Sequence, residues 1–388
     1  MKEVRIGIAG LGNMGSDHAK RILAGQVNNL RCTAICDIVP EKMDKFDGVK
    51  KFKDSAAMIR SGEIDAILVA TPHYDHTTIG IDAFNNGLHV LVEKPISVHP
   101  KDAQRLIAAY QAAKKKNKKI TFSSMFQSRS IGYYKKIREV IQRGDLGELT
   151  RVNWIVTNWF RSHAYYASGG WRATWKGEGG GVLLNQSPHN LDLFQWLFGM
   201  PVKMRAFCGL GKYHDIEVED EVTAYCEFAN GATGVFITGT GESPGTNRLE
   251  ITGDMGKLVC ENNKLTFTRN VVPMREFSRT TPQHFAWIET WNIDIPFTAG
   301  GGSHNEILQN FTDAILTGAP LIAPAEEGAN AVELACSMLY SSLTGKTVDL
   351  PLDADAYDKH LKKLIAGSKD KKVVKEGGAV SLAGSYNK

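Results

Sequence analysis

The chain lacks three features that would narrow its class at once: a large charge of one sign, long apolar runs and closely spaced cysteines. Its 388 residues carry a formal net charge of only +4, which gives no argument for a nucleic-acid partner. No window approaches the roughly 18 uninterrupted apolar residues of a membrane span, and the apolar stretch after Lys2 is too short for a signal peptide. The six cysteines include no CxxC pair, which favours free thiols over a zinc site. We therefore expect a cytoplasmic protein with no membrane contact, no nucleic acid and no metal.

What is present begins at the N-terminus, where a short apolar run leads into three spaced glycines. Val4–Ala9 predicts a buried strand, and the glycines follow it with the GxGxxG spacing of a dinucleotide-binding turn. The first glycine permits the tight turn, the second lets backbone N–H groups approach a pyrophosphate, and the third lets the next helix pack close to the strand. That helix directs the positive end of its dipole at the phosphates. The predicted cofactor contacts of this turn are Gly10, Gly12, Asn13, Met14 and Gly15.

Asp37 is the residue that selects the cofactor. It closes the next apolar run, Cys32–Cys36, at the distance from the glycine turn that is typical of dinucleotide sites. A carboxylate there accepts hydrogen bonds from the adenosine ribose and repels the 2′-phosphate of NADP. The following residues, Ile38–Pro40, include no arginine that could hold that phosphate. We predict NAD, bound by Asp37 with Ile38 beside it; the alternative interpretation is a surface aspartate that caps a turn.

Up to about residue 124, short apolar runs alternate with helical stretches, which predicts a doubly wound parallel sheet. Ligands of such sheets bind at the carboxyl ends of the strands, where polar residues follow two of the predicted strands here. His73 and His76 have no acidic partner at metal-ligand spacing, so we place them beside the nicotinamide and predict no metal. The remaining predicted cofactor contacts are Thr71, Pro72, His73, His76, Glu93, Lys94 and Gln127.

Lys94 and His189 are the predicted catalytic residues. Lys94 follows a buried strand where the nicotinamide is expected, and its charge could stabilise a developing alkoxide. His189 lies in the first turn of a predicted helix after a glycine-rich entrance, and its ordinary pKa near 6.5 suits a general base. The alternatives are a strand-end lysine that reaches solvent and a histidine that only caps or packs the helix.

A cluster rich in aromatic and arginine side chains precedes His189. Aromatic faces stack on sugar rings, and arginine binds vicinal hydroxyls or carboxylates. The alternative interpretations are an exposed loop anchored by aromatics and a contact between subunits. The predicted substrate-binding residues are Trp159, Arg161, Tyr165, Tyr166, Trp171, Arg172, Trp175 and Asn185.

After about Ile131 the pattern changes to long β-type runs with period-two alternation, which predicts a large, mostly antiparallel sheet crossed by a helix over roughly Ser187–Phe198. The chain is too long for one ordinary domain. We predict an N-terminal Rossmann domain over 1–124, an α+β domain with an open-faced sheet over 125–367 for substrate binding and oligomerisation, and a loosely ordered tail over 368–388.

Taken together, these motifs resemble the glucose–fructose oxidoreductase / inositol dehydrogenase (Gfo/Idh/MocA) family. The resemblance extends over essentially residues 1–350 and is carried by the glycine turn, Ala70–Pro72 with His76, Glu93–Pro95, and Gly179–Gly181 leading to His189. It implies NAD- or NADP-linked oxidation of a sugar or cyclitol hydroxyl, with Lys94 and His189 at the positions of the family's catalytic lysine and histidine. It also implies a homo-oligomer, a dimer or tetramer, formed through the open sheet. Many members have Asp where this chain has Asn185, which argues against a Lys–Asp–His relay.

Three functions fit these observations. The first is an NAD-dependent dehydrogenase that acts on a ring hydroxyl, or the keto group, of a sugar, glycoside or cyclitol. The second is a redox-neutral enzyme, such as a glycosidase, that retains NAD and works through a transient 3-keto sugar. The third is a non-catalytic cofactor sensor, against which the presence of Lys94 and His189 argues.

Overall fold

The computed structural model describes residues 2–368, which form two β-sheets with helices packed against them. The predicted tail, apart from Ser368, lies outside the described residues. No helix between residues 2 and 368 is long and apolar enough to cross a membrane.

The first sheet is parallel, with strand order β3-β2-β1-β4-β5-β6 in the described chain. From β1 the strands are added first towards β3 on one side and then, starting with β4, towards β6 on the other side. The ends of β1 and β4 therefore form the crevice in which doubly wound sheets bind ligands. This confirms the predicted Rossmann sheet. The strands are β1 (Val4–Ala9), β2 (Leu30–Cys36), β3 (Lys50–Phe52), β4 (Ala66–Val69), β5 (His89–Val92) and β6 (Phe122–Ser124). The helices are α1 (Asn13–Leu23), α2 (Ser55–Ile59), α3 (His73–Asn85) and α4 (Pro100–Lys116).

Successive residues of β4 enter different hydrophobic cores because strand side chains alternate between faces. Ile67 and Val69 pack in one core, whereas Ala66 and Leu68 pack in the other. Both faces of this sheet are thus buried, which explains why its strands read as continuous apolar runs.

The second sheet has the order β14-β13-β12-β11-β7-β10-β9-β8-β15 within residues 2–368. The β7–β10 pair is parallel and the other neighbours are antiparallel, as predicted for a mostly antiparallel sheet. Its strands are β7 (Leu149–Val156), β8 (Lys203–Leu210), β9 (Glu219–Glu227), β10 (Thr233–Gly239), β11 (Asn247–Gly253), β12 (Gly256–Glu261), β13 (Lys264–Asn270), β14 (Thr290–Asp294) and β15 (Val348–Asp349). The helices that follow α4 along the chain are α5 (Gly132–Gln142), α6 (His163–Ala167), α7 (Pro188–Phe198), α8 (Met274–Thr280), α9 (His304–Thr317), α10 (Ala325–Thr344) and α11 (Ala354–Gly367).

One face of this second sheet is covered by helices and the other is open. Val152, Trp154 and Val156 of β7 are buried in the core, whereas Arg151 of the same strand is exposed. The alternation predicted from the sequence therefore corresponds to an inner face and an outer face.

The chain returns to the first sheet after completing the second. Ile307, Leu308 and Phe311 of α9 join the core that contains α1 and β1. The backbone N–H of Ser124, at the end of β6, donates to the oxygen of Ala323 at 3.0 Å. The segment around α9 is thus a structural part of the N-terminal sheet.

Candidate active site

The glycine turn forms an open cradle at the start of α1. Gly10 has a φ of +89°, and a Cβ on Gly15 would lie 1.8 Å from the oxygen of Gly10. A Cβ on Gly12 would meet nothing within 4 Å, and none of the described side chains caps the N-terminus of α1. The first and third positions of the turn, Gly10 and Gly15, therefore require glycine, and the space beside Gly12 at the helix start is left open. This arrangement fits a pyrophosphate group.

Asp37 is buried beside this turn. Its Oδ2 accepts the N–H of Leu11 at 2.7 Å, and its Oδ1 accepts the N–H of Val39 at 2.9 Å. Ile38 is 86% exposed and offers an apolar surface next to the carboxylate. Lys42, which the sequence prediction did not consider, approaches the Asp37 Oδ1 to 3.8 Å. The position therefore combines a carboxylate suited to a ribose with one nearby cation.

Several buried polar atoms around the crevice have no hydrogen-bond partner among the described residues. They include Thr71 Oγ1, Gln127 Oε1 and His189 Nδ1. Buried polar groups normally find partners, so these atoms fit a polar ligand such as the nicotinamide end of NAD. His76 differs, because its ring nitrogens already contact the backbone oxygens of Pro95 at 2.8 Å and Thr71 at 2.9 Å.

The other predicted residues of the crevice edge lie around the start of α3. Pro72 precedes α3 as its N-cap and is exposed. His73, the first residue of α3, is buried, and its Nδ1 lies 3.4 Å from the backbone oxygen of Glu178. On α1, Asn13 is exposed and Met14 is half-buried. These positions surround the crevice, whereas His76 joins two strand ends.

Glu93 forms a buried ion pair below the crevice. Its Oε1 lies 2.7 Å from Nε2 of His18 on α1, and its Oε2 accepts the N–H of Lys94 at 3.2 Å. Burial alone would raise the pKa of Glu93, but the hydrogen bond and charge of His18 outweigh it and hold the pKa at about 2. Glu93 is thus a fixed negative charge that accepts the backbone N–H of Lys94 and stabilises the charged form of its amine.

Lys94 is half-buried where β5 ends, and its Nζ donates to the backbone oxygen of Asn185 at 2.7 Å. Burial lowers the pKa of Lys94, while the negative charges of Glu93 and Glu178 oppose that change. A lysine in this state can both donate a hydrogen bond and exchange a proton.

His189 is the second residue of α7 and lies edge-on to Phe126, with ring centroids 5.9 Å apart. Burial, followed by the charge of Lys94, lowers the pKa of His189 to about 3. This pKa lies well below the ordinary histidine value near 6.5, because the ring lies in a desolvated site beside a cation. His189 is neutral at ordinary pH. Ser187 lies directly before α7, and its hydroxyl pairs with that of Thr238 at 2.7 Å.

The predicted aromatic cluster divides into two groups. Trp159 donates to Oδ1 of Asn190 at 3.1 Å, while Arg161 and Arg172 stack on the ring of Tyr165 at 5.2 Å and 4.6 Å. Trp171 lies edge-on to the ring of His73 and stacks with Arg172. These side chains gather near Asn185.

Tyr166 and Trp175 instead lie in the hydrophobic core. The hydroxyl of Tyr166 pairs with that of Thr240 at 2.8 Å. Their predicted contact with substrate is therefore not supported by the geometry, because their rings face inward and anchor the segment.

Two acidic residues missed by the sequence reasoning hold the loop between these groups. Glu178 is buried and contacts the side chain of Asn185. Glu219 accepts the N–H groups of Gly181 at 2.8 Å and Leu183 at 3.0 Å. The sequence marks Glu178 only by its position directly before Gly179–Gly181. Its contact with Asn185, seven residues further along an irregular loop, follows no periodic pattern that could have predicted it. Within residues 2–368 no group of three or more His, Cys, Asp or Glu side chains could hold a metal.

Two family models match the chain. The model described as an oxidoreductase family with an NAD-binding Rossmann fold matches residues 4–123, and that of the GFO/IDH/MocA C-terminal domain matches 134–259.

Named relatives agree with these matches. The rhizopine catabolism protein MocA of Rhizobium meliloti is 28% identical over 254 residues, which cover 63% of this chain and 74% of the relative. Myo-inositol 2-dehydrogenase of Thermotoga maritima is 24% identical over 343 residues, covering 85% of this chain and 94% of the relative. The structure of the WlbA dehydrogenase from Bordetella pertussis, in complex with NADH and UDP-GlcNAcA, is 24% identical with a TM-score of 0.74 and covers 90% of this chain and 100% of that chain. The chain therefore belongs to the Gfo/Idh/MocA family of NAD-binding oxidoreductases.

Proposed function

We propose that the protein is a dehydrogenase that uses NAD to oxidise a ring hydroxyl, or to reduce the corresponding keto group, of a sugar, glycoside or cyclitol. The observation that carries this proposal is the position of Lys94 and His189 at the edge of the parallel sheet, where Nζ of Lys94 donates to the backbone oxygen of Asn185 at 2.7 Å, four residues before His189. Burial, followed by the charge of Lys94, lowers the pKa of His189. The relatives named above act on or bind an inositol and a nucleotide-linked sugar, which supports a polyhydroxylated ring as substrate.

When NAD is bound, its nicotinamide supplies the hydride acceptor. The chain must then hold the hydroxyl and remove its proton. Because burial lowers the pKa of Lys94 while His189 has a pKa of about 3, we assign proton removal to Lys94 rather than to His189. Once it has released its own proton, the amine of Lys94 can still donate to Asn185 and accept the substrate proton on its lone pair. His189 orients the hydroxyl as a neutral hydrogen-bonding partner.

The remaining polar side chains would select and place the ring. Arg161, Tyr165 and Arg172 form a stacked group beside Asn185, and Trp159 lies at its side. Aromatic faces and guanidinium groups suit the C–H and hydroxyl surfaces of a sugar. We assign substrate binding to these residues and to Trp171, within the second of the two predicted domains; the cofactor belongs to residues 1–124 together with Gln127.

The experiment is a scan of NAD reduction across inositols, aldoses, anhydrosugars and glycosides. Net formation of NADH with at least one ring alcohol is expected. Product formation with no net change in NAD would favour the redox-neutral cycle, and binding of NADH with no turnover of any compound would favour the sensor.

We also propose a homo-oligomer, a dimer or tetramer. Phe285 and Trp287, in the segment before β14, are each 94% exposed, and Phe207 on the outer face of the second sheet is 62% exposed. Large apolar side chains exposed in this way mark interaction surfaces. We take a second copy of the chain as the partner that covers both the segment before β14 and the outer face of the second sheet.

A cytoplasmic location is part of the proposal. All six cysteines are free, and five of them are buried. Free thiols suit a reducing compartment.

A further inference from the structure

Glu178 is a buried carboxylate with an unusual set of donors. It is 1% exposed, and its Oε2 accepts the N–H of Ala173 at 2.5 Å while its Oε1 accepts the side-chain Nδ2 of Asn185. Ala173 has a φ of +54°, a conformation that non-glycine residues rarely adopt. The backbone is thus held in a strained form that directs an N–H group at this carboxylate.

The hydrogen bond from Asn185 fixes the orientation of its amide. Since Nδ2 faces Glu178, Oδ1 faces the hydroxyl of Tyr165, which lies 3.4 Å away. That hydroxyl also accepts from Nη1 of Arg172 at 2.8 Å and from Nε2 of Gln186 at 3.0 Å. The chain of contacts from Glu178 to Arg172 therefore allows only one orientation of each group.

Asn185 connects this network to Lys94, because its backbone oxygen accepts the Nζ of Lys94. Glu178 is also one of the charges that act on Lys94 directly. The titratable and charged groups that face Lys94 are Glu93, Glu178, Arg161, Arg172, His73 and His189. Glu93 is already paired with His18, so Glu178 is the carboxylate that faces Arg172 on the substrate side, 4.0 Å from its Nη1. Burial raises the pKa of Glu178, while the charge of Arg172 and the hydrogen bonds from Ala173 and Asn185 favour its ionised form.

We propose that Glu178 is a positioning residue of the reaction, whose buried negative charge orients the Asn185 amide and keeps Lys94 competent among the cations beside it. This inference rests on the proposed dehydrogenase function. Asn185 has no carboxylate of its own, but Glu178, which is one hydrogen bond away, supplies one. Glu178 holds no proton of the substrate and touches the reacting atoms only through Asn185 and Lys94.

The substitution Glu178→Gln tests the charge. An amide has one acceptor oxygen and one donor group, so it cannot accept from both Ala173 and Asn185 as the carboxylate does. The double substitution E178Q/N185D restores all the bonds with one of them reversed: the new amide accepts from Ala173 and donates to the new carboxylate. The negative charge then moves one link along the network, next to Lys94.

Glu219→Gln is the matched control. Glu219, the first residue of β9, is also a buried carboxylate that holds this loop, but one of its oxygens accepts the N–H groups of both Gly181 and Leu183 and the other has no partner in the described chain. An amide can therefore replace it without losing either bond, and Glu219 is not among the charges that act on Lys94.

The measurement is the pH dependence of acetylation of Lys94 by trace acetic anhydride, read by mass spectrometry of the folded protein, which needs no substrate. E178Q should lower the apparent pKa of Lys94 by about one pH unit, E178Q/N185D should return it to the parental value or above, and E219Q should leave it unchanged. With substrate, the pH limb of kcat/KM that reports Lys94 should move to lower pH in E178Q, and kcat should fall about tenfold.

Two results would overturn the inference: a folded E178Q protein whose Lys94 titrates like the parent, or a double variant that titrates like E178Q. If E178Q alone does not fold, the pKa of Lys94 in E178Q/N185D is compared with that in E219Q. A value in the double variant that lies below the value in E219Q would overturn the inference. Titrations as expected in a parent protein that oxidises no ring alcohol would remove the proposed function and leave the charge relationship in place.

Discussion

The Oδ2 oxygen of Asp37 accepts the backbone N–H of Leu11 at 2.7 Å, so the end of β2 is tied directly to the glycine turn. The N–H of Val39 donates to Oδ1, and Nζ of Lys42 lies 3.8 Å from the same oxygen. A carboxylate has about four lone-pair positions, so two acceptor positions remain for the hydroxyls of a ribose. The same side chain therefore shapes the turn and selects the cofactor.

The first prediction concerns this selection. NAD should be preferred over NADP by about 1–3 kcal/mol, because a 2′-phosphate would face the buried carboxylate of Asp37. Asp37→Ser should raise kcat/KM with NADP relative to NAD. Part of that gain should depend on Lys42, 3.8 Å from Asp37, and should disappear in Asp37→Ser/Lys42→Ala. Equal use of both cofactors by the unmodified protein would contradict the assignment.

The second prediction concerns Lys94. Lys94→Ala should lower kcat by roughly 10²-fold or more, because the base that removes the substrate proton is lost. Binding of NADH, followed by fluorescence titration, should persist, since the glycine turn and Asp37 are unchanged. A variant that turns over substrate at close to the parental rate would show that Lys94 has no such role.

The third prediction separates His189 from Lys94 by pH. His189→Ala should also lower kcat by roughly 10²-fold, through loss of orientation of the hydroxyl. The pKa of His189 is depressed to about 3, so the ring becomes charged only as pH falls towards that value. The loss of rate should therefore be even between about pH 5 and 8. A limb near pH 6.5 that is present in the parent and absent from the variant would assign the titrating base to His189 instead.

The fourth prediction concerns assembly. Light scattering at micromolar concentration should give the mass of a dimer or tetramer. Replacing Phe285 and Trp287 by serine should weaken that assembly, because both side chains are exposed in the described chain and would be covered by a second copy. Leu23→Ser, at another exposed apolar site, is the control and should leave the mass unchanged. A parent protein that is strictly monomeric at this concentration would refute the proposal.

The sequence predicted the parallel sheet well because its strands are buried on both faces. The predicted bounds Val4–Ala9 are those of β1, whose apolar run ends at a glycine, and the buried strand predicted before Lys94 is β5, which ends directly before the charged Glu93. The edge of the second sheet was not predicted. All residues of β14 are exposed, so that strand has no buried face to produce alternation.

The site was predictable to the extent that its residues follow strands or begin helices. Lys94 and His189 occupy such positions. Their pKa changes depend on burial and on each other, which linear spacing does not show. Likewise, the aromatic composition of residues 159–175 could not tell that Tyr166 packs inward while Tyr165 faces the arginines. Contacts made by an irregular loop, such as that of Glu178 with Asn185, follow only from the three-dimensional fold.

The return of the chain through α9 makes the unit packed around the N-terminal sheet discontinuous in sequence, although the six strands of the sheet all lie between residues 4 and 124. A fragment cut after Ser124 would leave the apolar surface that Ile307, Leu308 and Phe311 cover open to water, and the N–H of Ser124 without its partner at Ala323. Such a fragment is not an autonomous module, whatever its motifs indicate. A transplantable dinucleotide-binding unit would need the segment from about residue 303 to 324 fused back to it through a linker.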